Sequence, residues 1–156
     1  MDKLIASELS LTFDGKSTAP VWARDGRSIT YQVQIPGGGE AFRQRLADGS
    51  QAETSLVEFG EARARAPVAW MGDGSLLFWE DGGVGSAGNL LFLPPGSKEP
   101  QPFASTSAVE AQASVSPDGR YVVYFVNDNL TSVFVQPFPP TGAKWLIAEN
   151  ANVPVW

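Results

Sequence analysis

The sequence predicts an all-β chain made of successive four-stranded antiparallel units, and three observations carry that prediction. A short phrase recurs as Trp22-Ala23-Arg24-Asp25-Gly26-Arg27, Trp70-Met71-Gly72-Asp73-Gly74-Ser75 and Val115-Ser116-Pro117-Asp118-Gly119-Arg120. Its Asp-Gly steps, at residues 25, 73 and 118, lie 48 and 45 residues apart. A second turn follows in register at Asp48-Gly49, Pro95-Gly96 and Thr141-Gly142. Between these turns apolar residues recur with period 2, as strands require, and no stretch carries a helical apolar stripe. A period in the mid-forties with four short strands per unit marks a β-propeller blade. The expectation is a single domain over 1–156 holding three blades, half of a propeller.

Taken in order, Glu8-Leu9-Ser10-Leu11-Thr12-Phe13 reads as the outer strand of a preceding blade, within residues 8–18. Blade 1 spans 19–63. Its inner strand ends near Trp22, the Asp-Gly step turns the chain, and Ile29, Tyr31 and Val33 then share one face of a strand over 28–33. Gly accepts the positive φ of a tight hairpin, and Asp bonds the local backbone. A connection over 35–40, a strand over 41–46 and a weaker strand over 54–59 complete the unit. Residues 58–65 hold helix formers without an apolar stripe and read as a loop.

Blade 2 spans 64–110, with strands ending at Trp70 and over 75–79, 89–93 and 101–104. Blade 3 spans 111–150, with strands ending at Val115 and over 121–126, 132–138 and 144–148. The second strands of both, around Leu76-Leu77-Phe78-Trp79 and Tyr121-Val122-Val123-Tyr124-Phe125-Val126, are almost wholly apolar, which suits strands covered on both faces. Val153-Pro154-Val155-Trp156 echoes Ala19-Pro20-Val21-Trp22, so residues 151–156 read as the start of a further inner strand.

Composition bounds the function. The 156 residues are 43% hydrophobic and 18% charged, a globular balance. The net charge of −6 argues against nucleic acid or an anionic membrane as a main partner. There is no Cys and no His. Disulfides, thiolate catalysis, zinc sites built on sulfur and the ordinary Ser-His-Asp or Cys-His arrangements are therefore excluded. Met1-Asp2-Lys3-Leu4-Ile5-Ala6 lacks a long apolar core, so the sequence as written is expected to stay in the cytoplasm.

At Val115-Ser116-Pro117-Asp118-Gly119-Arg120-Tyr121-Val122-Val123-Tyr124 the chain resembles the repeat of TolB-like, WD40-like (PD40) β-propellers. The later strands, Val133-Phe134-Val135-Gln136-Pro137-Phe138 and Lys144-Trp145-Leu146-Ile147, are similar to those of the same blade. The first two units match more loosely: Arg24 and Gly72 stand where the pattern has Pro, and Ser75 where it has Arg. The resemblance implies a bacterial protein-binding or scaffolding propeller, with a periplasmic location as the alternative to the cytoplasm. It carries no catalytic residues in the blades.

Three blades would leave two sheet faces bare, a condition that repeat units relieve by stacking on neighbours. A two-fold homodimer giving six blades is the simplest closure.

Asp25, Asp73 and Asp118 read as turn caps rather than a carboxylate cluster. Trp22, Trp70 and Trp156 read first as packing between blades, with lining of an interaction surface or channel mouth as the functional alternative. The Gly-rich stretch Glu80-Asp81-Gly82-Gly83-Val84-Gly85-Ser86-Ala87-Gly88 lacks the ending of a phosphate loop and reads as a connection. Asn127-Asp128-Asn129 offers too few oxygens for calcium and reads as a hairpin tip. Arg43, Arg45, Arg63 and Arg65 read as solvated positions.

The expected function is a non-enzymatic interaction scaffold that self-associates and also binds other proteins. It has no catalytic residues, cofactor or metal, and no nucleic-acid or membrane partner. The alternatives are a ligand-binding or hydrolytic propeller of lactonase or glycosidase type, with a carboxylate or metal site at the channel mouth, and an accessory fragment of a larger kinase or peptidase.

Overall fold

A computed structural model describes residues 10–12, 15–61, 63–83 and 87–156, and among these described residues twelve strands make up the regular structure. They form three four-stranded antiparallel sheets. Blade 1 contains β1 (Thr18–Trp22), β2 (Ser28–Gln34), β3 (Glu40–Leu46) and β4 (Thr54–Phe59). Blade 2 contains β5 (Arg65–Trp70), β6 (Leu76–Glu80), β7 (Asn89–Leu93) and β8 (Gln101–Ala104). Blade 3 contains β9 (Val109–Val115), β10 (Tyr121–Asp128), β11 (Leu130–Pro137) and β12 (Trp145–Glu149). Each sheet keeps its strands in chain order, so β1, β5 and β9 are the inner strands, with β1 beside β5 and β5 beside β9.

The turns close as the Asp-Gly motif requires, but not identically. The Ala23 amide bonds Ser28 O at 2.8 Å and the Ser116 amide bonds Tyr121 O at 2.9 Å, each enclosing four residues. In blade 2 the Met71 amide bonds Ser75 O at 2.8 Å and encloses three. The register follows: Ile29 opposes Trp22, Leu76 opposes Trp70, and Val122 opposes Val115. Measured from the turn glycine, the face of blade 2 is shifted by one residue. Because side chains alternate across a strand, that shift decides which face each residue joins.

Two apolar layers lie between the blades. Phe42 and Val57 of blade 1 meet Leu76, Phe78 and Leu93 of blade 2. Phe42 packs edge-on against Phe59 at 5.3 Å and Phe78 at 5.2 Å between centroids, a favourable aromatic geometry. Leu77, Leu90 and Phe103 of blade 2 meet Val122, Tyr124 and Phe138 of blade 3. Polar ties cross the second of these junctions: the Glu110 amide bonds Gly88 O at 2.8 Å, and Gln136 Nε2 bonds Phe103 O at 3.3 Å.

Arg65 is the largest departure from the sequence expectation. It opens β5 instead of lying in a loop, and its side chain is only 6% exposed. Its Nε donates to Glu80 Oε2 at 2.6 Å, its Nη1 to Glu61 O at 3.1 Å, and its amide to Glu40 Oε2 at 3.1 Å. The guanidinium also lies 4.2 Å from the Phe59 ring centroid. A charged group can be buried here because each of these partners replaces water.

Candidate functional site

The repeated aspartates serve their own turns. Asp25 Oδ1 accepts from the Arg27 and Ser28 amides, both at 2.8 Å, Asp73 Oδ1 from Ser75 at 2.9 Å, and Asp118 Oδ1 from Arg120 at 3.0 Å. Hydrogen bonds from Ser116 and the Arg120 amide hold the Asp118 carboxyl down at about 2, and the Arg27 amide and Ser28 likewise lower that of Asp25. Among the described residues no group of three or more acidic side chains gathers where a metal ion could be held. Asn129, with φ 62°, is the tip joining β10 to β11. The Gly-rich stretch keeps Glu80 in β6, and its residues 84–86 lie outside the described residues.

The three tryptophans do not meet in one place. Trp70 packs into the layer between blades 1 and 2 and donates to Thr30 Oγ1 at 3.0 Å. Trp22, on β1, is 60% exposed. Trp156 is 53% exposed and donates from its indole to Ser114 O at 3.0 Å, on β9 of blade 3.

What the structure does assemble are the two end faces of the stack, one partly open on blade 3 and one covered on blade 1, where Tyr31 and Val33 are 4% and 5% exposed. On blade 3, Val123 and Val135 oppose each other across β10 and β11, and Ile147 of β12 joins them. With Val155 and Trp156 they line an open cleft of about 360 Å³. Ile147 is 60% exposed, and Trp145 and Leu146 beside it are about half exposed. The corresponding faces of the other blades are covered, since Leu77 of blade 2 lies under blade 3 and Thr30 of blade 1 lies under Trp70. On blade 3 the rim of this apolar face, at Trp145, Leu146 and Ile147, is left exposed, while Val123 at its centre is 6% exposed.

The outer face of blade 1 is built differently, with Tyr31, Val33 and Ala41 buried. Ile29, Tyr31 and Val33 oppose Arg45, Arg43 and Ala41. The Tyr31 hydroxyl donates to Glu53 Oε2 at 2.7 Å, and Arg43 pairs with Glu53 Oε1. Burial, reinforced by Glu53, pushes the Tyr31 hydroxyl up to about 12, while the Tyr31 and Arg43 hydrogen bonds lower the Glu53 carboxyl. Arg45 Nη1 donates to Leu11 O at 2.7 Å, which holds the segment 10–12 against this blade. Of the expected outer strand at 8–13, residues 8, 9 and 13 lie outside the described residues, and 10–12 carry no strand pairing. Arg43 and Arg45 are therefore part of a packed polar face rather than free in solvent. Sequence alone hides this, because Glu53 stands in the connection before β4 and Leu11 lies ahead of blade 1, neither at a position the repeat pattern marks.

The fold has known counterparts. The chain superposes on TolB from Acinetobacter baumannii with a TM-score of 0.68 and 17% identity, over 89% of this chain and 34% of that one. For a protein named as TolB in Agrobacterium tumefaciens the values are 0.69 and 17%, over 89% and 51%. A puromycin-hydrolysing peptidase from Mycobacterium tuberculosis gives 0.50 and 12%, over 86% and 29%. No protein-family model and no curated protein matches the sequence. The chain thus has the TolB-like β-propeller fold and spans about a third to a half of the length of the TolB structures it matches.

Proposed function

We propose that this TolB-like propeller module is a non-enzymatic protein-interaction scaffold that completes its ring by associating with a second copy of itself. The observation that carries the reading is the open apolar face of blade 3, whose equivalents on blades 1 and 2 are both covered by the next blade. In a two-fold pair, that face meets the outer face of blade 1 of the other copy, whose Tyr31 and Val33, 4% and 5% exposed in the single chain, are uncovered as the pair forms. There Ile29, Tyr31 and Val33 stand at the registers that Val122, Tyr124 and Val126 hold where blade 3 covers blade 2. The aliphatic stems of Arg43 and Arg45 can lie along apolar surface while their charged ends stay with Glu53 and solvent. Two such junctions turn three blades into six.

Sedimentation velocity over a concentration series tests the proposal. A discrete species near twice 16.7 kDa, lost in Ile147→Lys, supports it. A chain that stays monomeric at every concentration, both at full length and without residues 151–156, refutes it.

A further inference from the structure

Residues 151–156 leave β12 and run along the open face of blade 3 beside β9. The Val153 amide donates to Gln112 Oε1 at 3.1 Å and the Trp156 indole to Ser114 O at 3.0 Å. Val155 and Trp156 form one wall of the cleft over Val123, Val135 and Ile147. The segment pairs with no strand. Its backbone nevertheless copies that of two inner strands. Ala19 of β1, Gln112 of β9 and Val153 all adopt left-handed φ, at 49°, 49° and 51°. Each stands three residues before the Trp or Val that ends the strand phrase: Trp22, Val115 and Trp156. In β1 and β9 this residue falls within a β-bulge. A β-branched valine is the least suited of the three to that conformation. Its presence there argues that the docked position imposes the kink.

The side chains match as well. Pro20-Val21-Trp22 of β1 and Pro154-Val155-Trp156 are the chain's two contiguous Pro-Val-Trp sequences. The face of blade 3 therefore already receives a kinked Pro-Val-Trp segment beside β9, in the position β5 holds beside β1 and β9 holds beside β5.

From this we infer that residues 151–156 stand in for β1 of a second copy. They occupy the seat that β1 takes when two three-blade units close, and they leave it as the ring forms. The inference rests on the self-association reading above. The seat is lightly held, since Val153, Val155 and Trp156 are each more than half exposed. Apparent affinity falls in proportion to the fraction of open faces. A segment seated about 90% of the time weakens each junction roughly tenfold, and a ring has two junctions.

The test compares dimer dissociation constants by sedimentation for the wild-type chain, the chain lacking 151–156, Trp156→Ala, and Ile147→Lys in both lengths. Circular dichroism melts establish that each is folded. Removal of the segment is expected to tighten the dimer about tenfold or more, Trp156→Ala to tighten it less, and Ile147→Lys to leave both lengths monomeric. A weaker dimer after removal, or after Trp156→Ala if the shortened chain does not fold, means the segment builds the interface and overturns the inference. Equal constants for both lengths, with Ile147→Lys still monomeric, overturn it while self-association stands. Monomers in every sample overturn both.

Discussion

Replacing Arg65 with alanine probes how the blades are joined. The substitution removes a guanidinium that is 6% exposed and leaves Glu80, itself 15% exposed, with the longer 3.6 Å pair to Arg63 and an emptied site beside Glu40. Breaking one side of a buried ion pair costs about 3–5 kcal/mol, and the partial exposure of Glu80 places this case near 3. Loss of the contact with Phe59 adds about 1 kcal/mol. The expected loss at pH 8 is therefore about 4 kcal/mol, a large share of the 5–15 kcal/mol typical of a folded domain.

The loss should also depend on pH, with a definite sign. Burial raises the Glu40 carboxyl above its ordinary 4.5, opposed by Arg65. A raised carboxylate contributes stability below the unfolded value and loses it as pH rises through the folded value. Removing Arg65 lifts the folded value further. The variant's deficit must then shrink toward pH 4.5, by about 1.4 kcal/mol per unit of extra shift. Urea unfolding followed by tryptophan fluorescence at both pH values measures it. A deficit under 1 kcal/mol at pH 8, or one that is identical at the two pH values, would refute the reasoning. Arg63→Ala is the control: this side chain is 42% exposed, and its loss should cost no more than about 1 kcal/mol.

Two further outcomes follow from the turns and the tryptophans. A Cβ on Gly119 would lie 2.8 Å from the Gly72 amide nitrogen at φ +72°, whereas one on Gly72 would meet nothing closer than 3.6 Å. Gly119→Ala should therefore lower stability by about 1–3 kcal/mol and Gly72→Ala by far less, measured by thermal melting. Trp70→Phe strands the fully buried Thr30 hydroxyl and should cost about 1–2 kcal/mol, while Trp22→Phe, at an exposed site, should stay within about 0.5.

The fold was legible because its punctuation is local. Asp-Gly turns and period-2 strands are properties of adjacent residues, and strands β4, β7 and β8 fall where alternation and turn spacing place them. The tertiary burial of Arg65 was not legible. Arginine in a polar stretch has no periodicity to betray it, and its partners Glu40 and Glu80 come from two different strands. The two end faces were visible only as a count of blades. That one is apolar and the other built on Tyr31, Glu53 and Arg43 depends on cross-strand opposition, which the order of residues along one strand does not state. The echo of Pro-Val-Trp was plain in the sequence, but the shared kink at Ala19 and Val153 was not, because neither residue type favours it.

The shortened turn of blade 2 bears on how such units can be exchanged. A consensus blade built by stacking the three Asp-Gly phrases letter on letter would average Leu76 with Tyr121 and Ser28, residues that point to opposite sides of their sheets. A chimera that carried the four-residue turn into blade 2 while keeping the strand after it would turn Leu77 toward blade 1 and Phe78 toward blade 3. The loop and its strand are a matched pair, and they have to be transplanted together.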